Sequence, residues 1–172
     1  MANSTLSARQ WIHPDEIETS GDLPITGGGD VTRGIYLLVY RAREPIERSI
    51  GALGNHALDT GMYFYIGSAF GTGGFSRIQR HISVADSDRG VSHWHIDYIA
   101  QSSAIQLIDI LVVPKWDGEC ALASALHTSP DCATPVTEFG ATDCQCKAHF
   151  IQQVSSDVSH REVVDARIQR ML

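Results

Sequence analysis

A chain of 172 residues, 43% hydrophobic and 19% charged, is long enough for one domain with a proper core and too short for two full-sized domains with a cleft between them. No apolar run reaches the roughly 18 residues of a membrane span, and the N-terminus "MANSTLSARQW" lacks the charged-then-apolar order of a signal peptide, which points to a cytoplasmic protein with no membrane partner. The net charge is −7, and the basic residues along the chain form no stripe, so any hold on phosphates falls to a few placed residues.

Residues 1–30 carry Arg9 against Asp15, Glu16, Glu18, Asp22 and Asp30, end in "TGGGD" and show no sustained period, as a flexible or loosely docked arm would. The core is expected to start near Val31 and to occupy 31–153, with net charge −3, ahead of an electrically neutral C-terminal segment, 154–172. Gly34 to Tyr40, "GIYLLVY", predicts a first buried strand, Glu47 to Ile50 a short hairpin partner, and Met62 to Ser68 a second main strand. After "GTGG", the segment "FSRIQRHISVA" places Phe75, Ile78, Ile82 and Ala85 at helical spacing. "HWHIDYIAQ" predicts a helix or part of one. Ile105 to Val113, rich in branched residues and stopped by Pro114, predicts a buried strand. "DGECALASALHT" predicts a helix with Asp117 as its cap. "FGATDCQCKAHFIQ" allows a turn followed by either a closing strand or a short helix, and Val164, Ile168 and Met171 mark a terminal helix lying on the core or on a partner. The expected class is therefore a small α/β (α+β) domain with a mixed or antiparallel central sheet flanked by helices.

Chemistry concentrates in three places. The triplets "GIY" and "YIG" put Tyr36 and Tyr65 on strands that, as neighbours, would bring two phenols to one edge of the sheet, while their glycines permit close approach. Half-buried strand tyrosines account for the same pattern without chemistry. Arg77 and His81 lie one helical turn apart beside the apolar face, the first suited to a phosphate and the second to proton transfer. A solvated Arg and His is the plain alternative. Glu119 aligns with Leu122, Ala123 and Leu126 on the inward face of the later helix, where a carboxylate is costly unless it is paired or metal-bound. Its other natural role there is to complement the helix dipole.

Taken together, this order resembles the GIY-YIG nuclease superfamily, and in detail its Uri-like branch, through "GSAFGTGG" (Gly67 to Gly74), "HWHIDY" (His93 to Tyr98), "EC" (Glu119, Cys120) and "DCQCKAH" (Asp143 to His149). The resemblance covers residues 31–151. It implies a metal-dependent endonuclease that hydrolyses phosphodiester bonds, with DNA ahead of RNA as substrate. It also implies one Mg²⁺ or Mn²⁺ on Glu119, Tyr36 helping to activate the attacking water, Tyr65 and Arg77 steadying the phosphate, and His81 assisting proton transfer or holding Tyr36. A free phenol, with a pKa of about 10, is a poor base at neutral pH, so Tyr36 needs such a neighbour. The 28 residues between Tyr36 and Tyr65 exceed the family's usual hairpin, so residues 41–61 must form an excursion. The polar residue, often Asn, that many members carry after the glutamate has no clear counterpart, Asp143 being the available substitute.

Two rival readings start from other residues. "HWHIDY" invites comparison with the His-x-His-x-Asp motif of metallo-β-lactamase-like hydrolases, but Tyr98 stands where that motif has a further His; the plain alternative is a structural role for His93, Trp94, His95 and Asp97. Separately, Cys144, Cys146 and His149, with Cys120 or Cys132 as a fourth ligand, offer a structural zinc site. That is compatible with catalysis, and equally with an inactive, zinc-stabilised nucleic-acid-binding module on the same fold.

Overall fold

The computed structural model describes residues 6–17, 23–25, 32–85 and 92–172; the "TGGGD" stretch and Val31 lie outside them. The main sheet is built on β2 (Gly34–Ala42), β5 (Gly61–Ser68) and β6 (Ile105–Pro114). β2 runs at their centre, antiparallel to both neighbours, and all of its residues except Arg41 are buried. This is why "GIYLLVY" is continuously apolar and does not alternate: both faces of the strand are covered. β1 (Gln10–Ile12), β8 (Phe150–Gln153) and β7 (Cys132–Ala133) complete a six-stranded antiparallel sheet in the order β1-β6-β2-β5-β8-β7. The closing segment is thus a strand.

The excursion between the triplets folds as its own two-stranded sheet, β3 (Ile46–Ser49) paired with β4 (Asn55–Leu58). The expected partner strand therefore pairs locally, outside the main sheet. Gly51 and Gly54, both with positive φ, turn the chain back between its strands.

Helices cover both faces of the main sheet. On one, α1 (Ser76–Ala85) and α2 (His95–Ala100) bring Ile78, Ile96 and Ile99 onto Leu38, Tyr40 and Phe150. On the other, α3 (Glu119–His127) and α4 (His160–Gln169) bring Leu122, Leu126, Val164 and Ile168 onto Leu37, Val39, Phe64 and Ile66. The buried face of α1 comprises Ile78, His81 and Val84, so it is rotated from the predicted stripe toward His81, leaving Ile82 only partly covered. Asp117 is not the cap of α3. Gly118 holds that position, with no side-chain cap. Ser159 and Glu162 form a reciprocal capping box on α4.

The chain begins to contribute to the fold before the expected boundary at Val31. β1 pairs with the edge of β6, Leu6 is buried, and Arg9 Nε and Trp11 Nε1 reach Asp165 on α4 at 2.7 and 3.1 Å. α4 itself lies on the core, tied to β6 by Asp109, which accepts two hydrogen bonds from Arg161 and one from His160. Burial would raise the Asp109 carboxyl, but those bonds outweigh it and hold the group below the usual carboxylate range.

Candidate active site and the adjoining cysteine-histidine cluster

The β2–β5 register places Tyr36 opposite Gly67 and Leu38 opposite Tyr65. The two tyrosines are therefore diagonal neighbours on one face of the sheet. Gly67 has to be glycine, because a Cβ there would collide with the Tyr36 ring and come within 2.5 Å of its hydroxyl. At Gly34 a Cβ would meet the Val113 carbonyl and lie 2.8 Å from the Phe75 ring. The glycine of each triplet is thus explained by close packing around the first tyrosine and around the strand that carries it.

Tyr36 and Tyr65 line a cavity of about 280 Å³ together with Arg77 and Glu119. Its wall also holds Ser68, His93, Trp94, His95, Asp143 and His149. Four sequence-predicted residues from four separate segments are brought together here. His81, the fifth, sits just behind the wall, only 1% exposed, with Nε2 at 2.9 Å from the Tyr36 hydroxyl.

The protonation of that pair follows from its surroundings. Burial pushes His81 down from 6.5 to about 4, with the charges of Arg80 and Arg77 in the same direction and Asp97 opposing. Burial, reinforced by Tyr65, raises the Tyr36 phenol well above 10. Both groups are neutral at pH 7, so one must donate to the other. Asp97 Oδ1 lies 3.9 Å from His81 Nδ1, and an anion on that side favours the tautomer with its proton on Nδ1. Nε2 is then the acceptor and the Tyr36 hydroxyl the donor.

Asp97 is fully buried and accepts from both Arg80 guanidinium nitrogens at 3.2 and 2.8 Å and from the backbone N–H groups of His93 and Trp94. Burial would raise its carboxyl; these bonds, Arg80 first, outweigh it and keep the group below the usual range. The Arg80 guanidinium also lies over the Trp94 ring at 4.0 Å. Asp97, Arg80 and Trp94 are the site components that sequence spacing did not assign to it. The signal was present in "HWHIDY", because an Asp three residues into a helix is placed to cap the residues before it. His95 Nδ1 accepts from the Gly140 N–H at 2.9 Å and pins the loop that leads to His149. Among the described residues, His93, His95 and Asp97 do not form a metal-ligand group, which corrects the His-x-His-x-Asp expectation: His93 is exposed and contributes its backbone N–H, while the His95 and Asp97 side chains are engaged in hydrogen bonds.

Arg77 donates to the Ser68 carbonyl at 2.9 Å through Nη1, which aims its guanidinium along the cavity wall. Glu119, at the start of α3, is about a quarter exposed, and its Oε1 stands 3.0 Å from His149 Nδ1. That Nδ1 is buried, and the approach is too oblique for a hydrogen bond. The opposite nitrogen of His149, Nε2, faces the sulfurs of Cys144 at 3.5 Å and Cys120 at 3.7 Å.

Cys120, Cys144, Cys146 and His149 offer four ligand atoms that all lie within 4.8 Å of one another. Cys120 supplies the fourth position, while Cys132 is a separate free thiol whose pKa burial pushes up to about 11. The structure joins Cys120 to Cys146 as a disulfide. That bond uses two of the four groups and leaves the convergence of Cys144 and His149 on the same point without a role. With Cys120 and Cys146 reduced, three thiols and an imidazole converging on one point are the ligand set of a tetrahedral metal such as zinc, with ligand bonds of about 2.0–2.3 Å.

The fold and site define an α+β protein in which a polar, tyrosine-walled cavity adjoins a Cys₃His cluster capable of holding a metal. The chain belongs to the family described as "Domain of unknown function DUF123", which matches residues 35–171. That span takes in the whole cavity and the cysteine cluster. Comparison with curated proteins and with solved structures finds no match. Among the described residues, no helix is long and apolar enough to cross a membrane.

Proposed function

We propose that this protein is a metal-dependent phosphodiester hydrolase of the GIY-YIG type, acting on nucleic acid, with DNA preferred to RNA. The observation that carries the reading is the Tyr36–His81 hydrogen bond at the wall of a cavity shared with Tyr65, Arg77 and Glu119. A neutral His81 takes the phenolic proton of Tyr36 on Nε2 while the Tyr36 oxygen takes a proton from the attacking water. The imidazolium that results faces the Asp97 carboxylate. The water oxygen bonds to phosphorus, the bond to the departing ester oxygen breaks, and that oxygen takes a proton from solvent. Arg77 and Tyr65 supply donors for the charge that develops on the phosphoryl oxygens. Glu119, with Asp143 on the same wall, suits a hard divalent cation that keeps several of its waters, and Mg²⁺ or Mn²⁺ bound there would act as a Lewis acid on the phosphate. The Cys₃His cluster holds a structural zinc.

The test is incubation with labelled single-stranded, duplex and branched DNA and RNA in Mg²⁺, in Mn²⁺ and in EDTA. Cleavage that EDTA abolishes is expected. Binding without cleavage in any divalent metal would replace this reading with the zinc-stabilised binding module. Metal analysis of protein purified under reducing conditions should find about one zinc per chain. Its absence would remove the zinc assignment of these four residues.

A further inference from the structure

We infer that Glu119 is the outer partner of the zinc ligand His149, so that the metal in the Cys₃His cluster sets the position of the carboxylate at the cavity wall. The inference rests on the zinc reading of the cysteines and is independent of whether the cavity cleaves anything. It starts from a buried atom with nothing to bond to. His149 is 3% exposed, and its Nδ1 has no hydrogen-bond partner although Glu119 Oε1 is 3.0 Å away.

Zinc resolves that defect. Nε2 is the nitrogen that faces Cys120 and Cys144, so metal binds there and the proton is confined to Nδ1. A buried N–H has to find an acceptor, and the Glu119 carboxylate is already at hydrogen-bonding distance. Rotation of either side chain would align the pair. Such carboxylate–histidine–metal arrangements fix ring orientation and raise ligand basicity. The neighbouring geometry limits any other arrangement: the His149 backbone N–H donates to the Phe139 carbonyl at 2.7 Å and its own carbonyl accepts from Ile66 at 2.9 Å, so the ring is carried by a backbone tied to β5. Cys120 directly follows Glu119 at the start of α3, so one helix turn delivers both a zinc ligand and the acceptor for another zinc ligand. Because zinc needs the Cys120 and Cys146 thiolates, its binding and the disulfide between them exclude one another.

The experiment is a zinc titration of the full chain, kept reduced with a phosphine, against a chromophoric chelator. Wild type is expected to bind about one zinc, and Glu119→Ala to bind it about 10- to 100-fold more weakly. In long-range ¹⁵N–¹H spectra of the zinc-loaded wild type, His149 should be metal-bound at Nε2 and protonated at Nδ1, with the Nδ1 proton shifted and exchanging faster in Glu119→Ala. Circular dichroism in saturating zinc checks that the variant is folded. Should it not fold, Glu119→Gln decides on the same readouts, with a several-fold loss expected because a neutral amide is the weaker acceptor. A folded variant with wild-type zinc affinity and an unchanged Nδ1 proton overturns the inference and leaves the zinc site standing. A wild-type protein that binds no zinc overturns the zinc reading and this inference together.

Discussion

Lowering the pH should destabilise the protein through His81 before the buried Asp97 and Asp109 titrate. Burial holds the folded-state value at about 4 against an ordinary 6.5, so between those values the unfolded chain binds a proton that the folded chain refuses. Stability from this residue is complete above about pH 6.5 and is lost as pH falls toward 4. The full difference corresponds to ~3 kcal/mol, of which ~2 kcal/mol is gone by pH 5. Asp97 and Asp109 are held below their ordinary 3.8, so their contributions disappear at lower pH. His95, also lowered by burial, contributes with the same sign and requires a control. Urea unfolding followed by tryptophan fluorescence, at half-unit steps from pH 7.5 to 4.5, should be run on wild type and on His81→Gln. The variant keeps an acceptor for Tyr36, retains His95, and carries no titratable group at position 81. Its stability deficit is expected to shrink by ~2 kcal/mol between pH 7.5 and 5. Parallel curves would refute the argument that His81 is buried neutral, and with it the assignment of Nε2 as the proton acceptor from Tyr36.

Glu119→Gln, assayed in saturating zinc, should remain folded and bind substrate while cleavage falls by orders of magnitude, whereas Arg77→Ala should weaken cleavage and phosphate binding together; cleavage by Glu119→Gln at the wild-type rate in Mg²⁺ would remove Glu119 from the chemistry. Gly67→Ala should displace the Tyr36 ring, costing about 1–3 kcal/mol in urea unfolding and reducing cleavage, and an alanine variant with unchanged stability and rate would show that the close approach is not needed. Substrate binding should depend only shallowly on salt, because no basic stripe in the sequence adds phosphate contacts to the few placed residues; a log–log slope as steep as about −6 would point to an extended phosphate-binding face.

The sheet and its helices were legible because their signals are local. "GIYLLVY" and the "ILVV" that ends "IQLIDILVV" are uninterrupted runs of apolar and aromatic residues, and a run of that kind implies cover on both faces. What could not be read was decided by tertiary contact. The strand at Phe150–Gln153 exists because β5 offers it an edge, and β1 exists because β6 does. Neither segment has a period strong enough to declare itself. The predicted stripe of α1 missed His81 because a hydrophobicity pattern scores His as polar, whereas here it is a core residue whose polar atom is satisfied by one phenol.

The cavity residues were reachable by motif, yet the motif treats Glu119 and the cysteines as separate features, and their spacing in the chain gives no hint of a link. In the fold they meet at one end of the sheet, where β2 begins, β5 ends and the loop after Phe139 returns to β8. His149 is placed between them, with one nitrogen toward Glu119 and the other toward sulfur. A side chain with two opposed functional atoms can couple two sites that share no residue, and spacing rules do not represent such coupling because they count ligands one centre at a time. The consequence concerns mutagenesis at Glu119. A loss of cleavage there is ambiguous between a missing cation ligand and a displaced His149. Zinc affinity measured on the same variant reports the second cause, since loss of a cavity cation ligand alone does not move it.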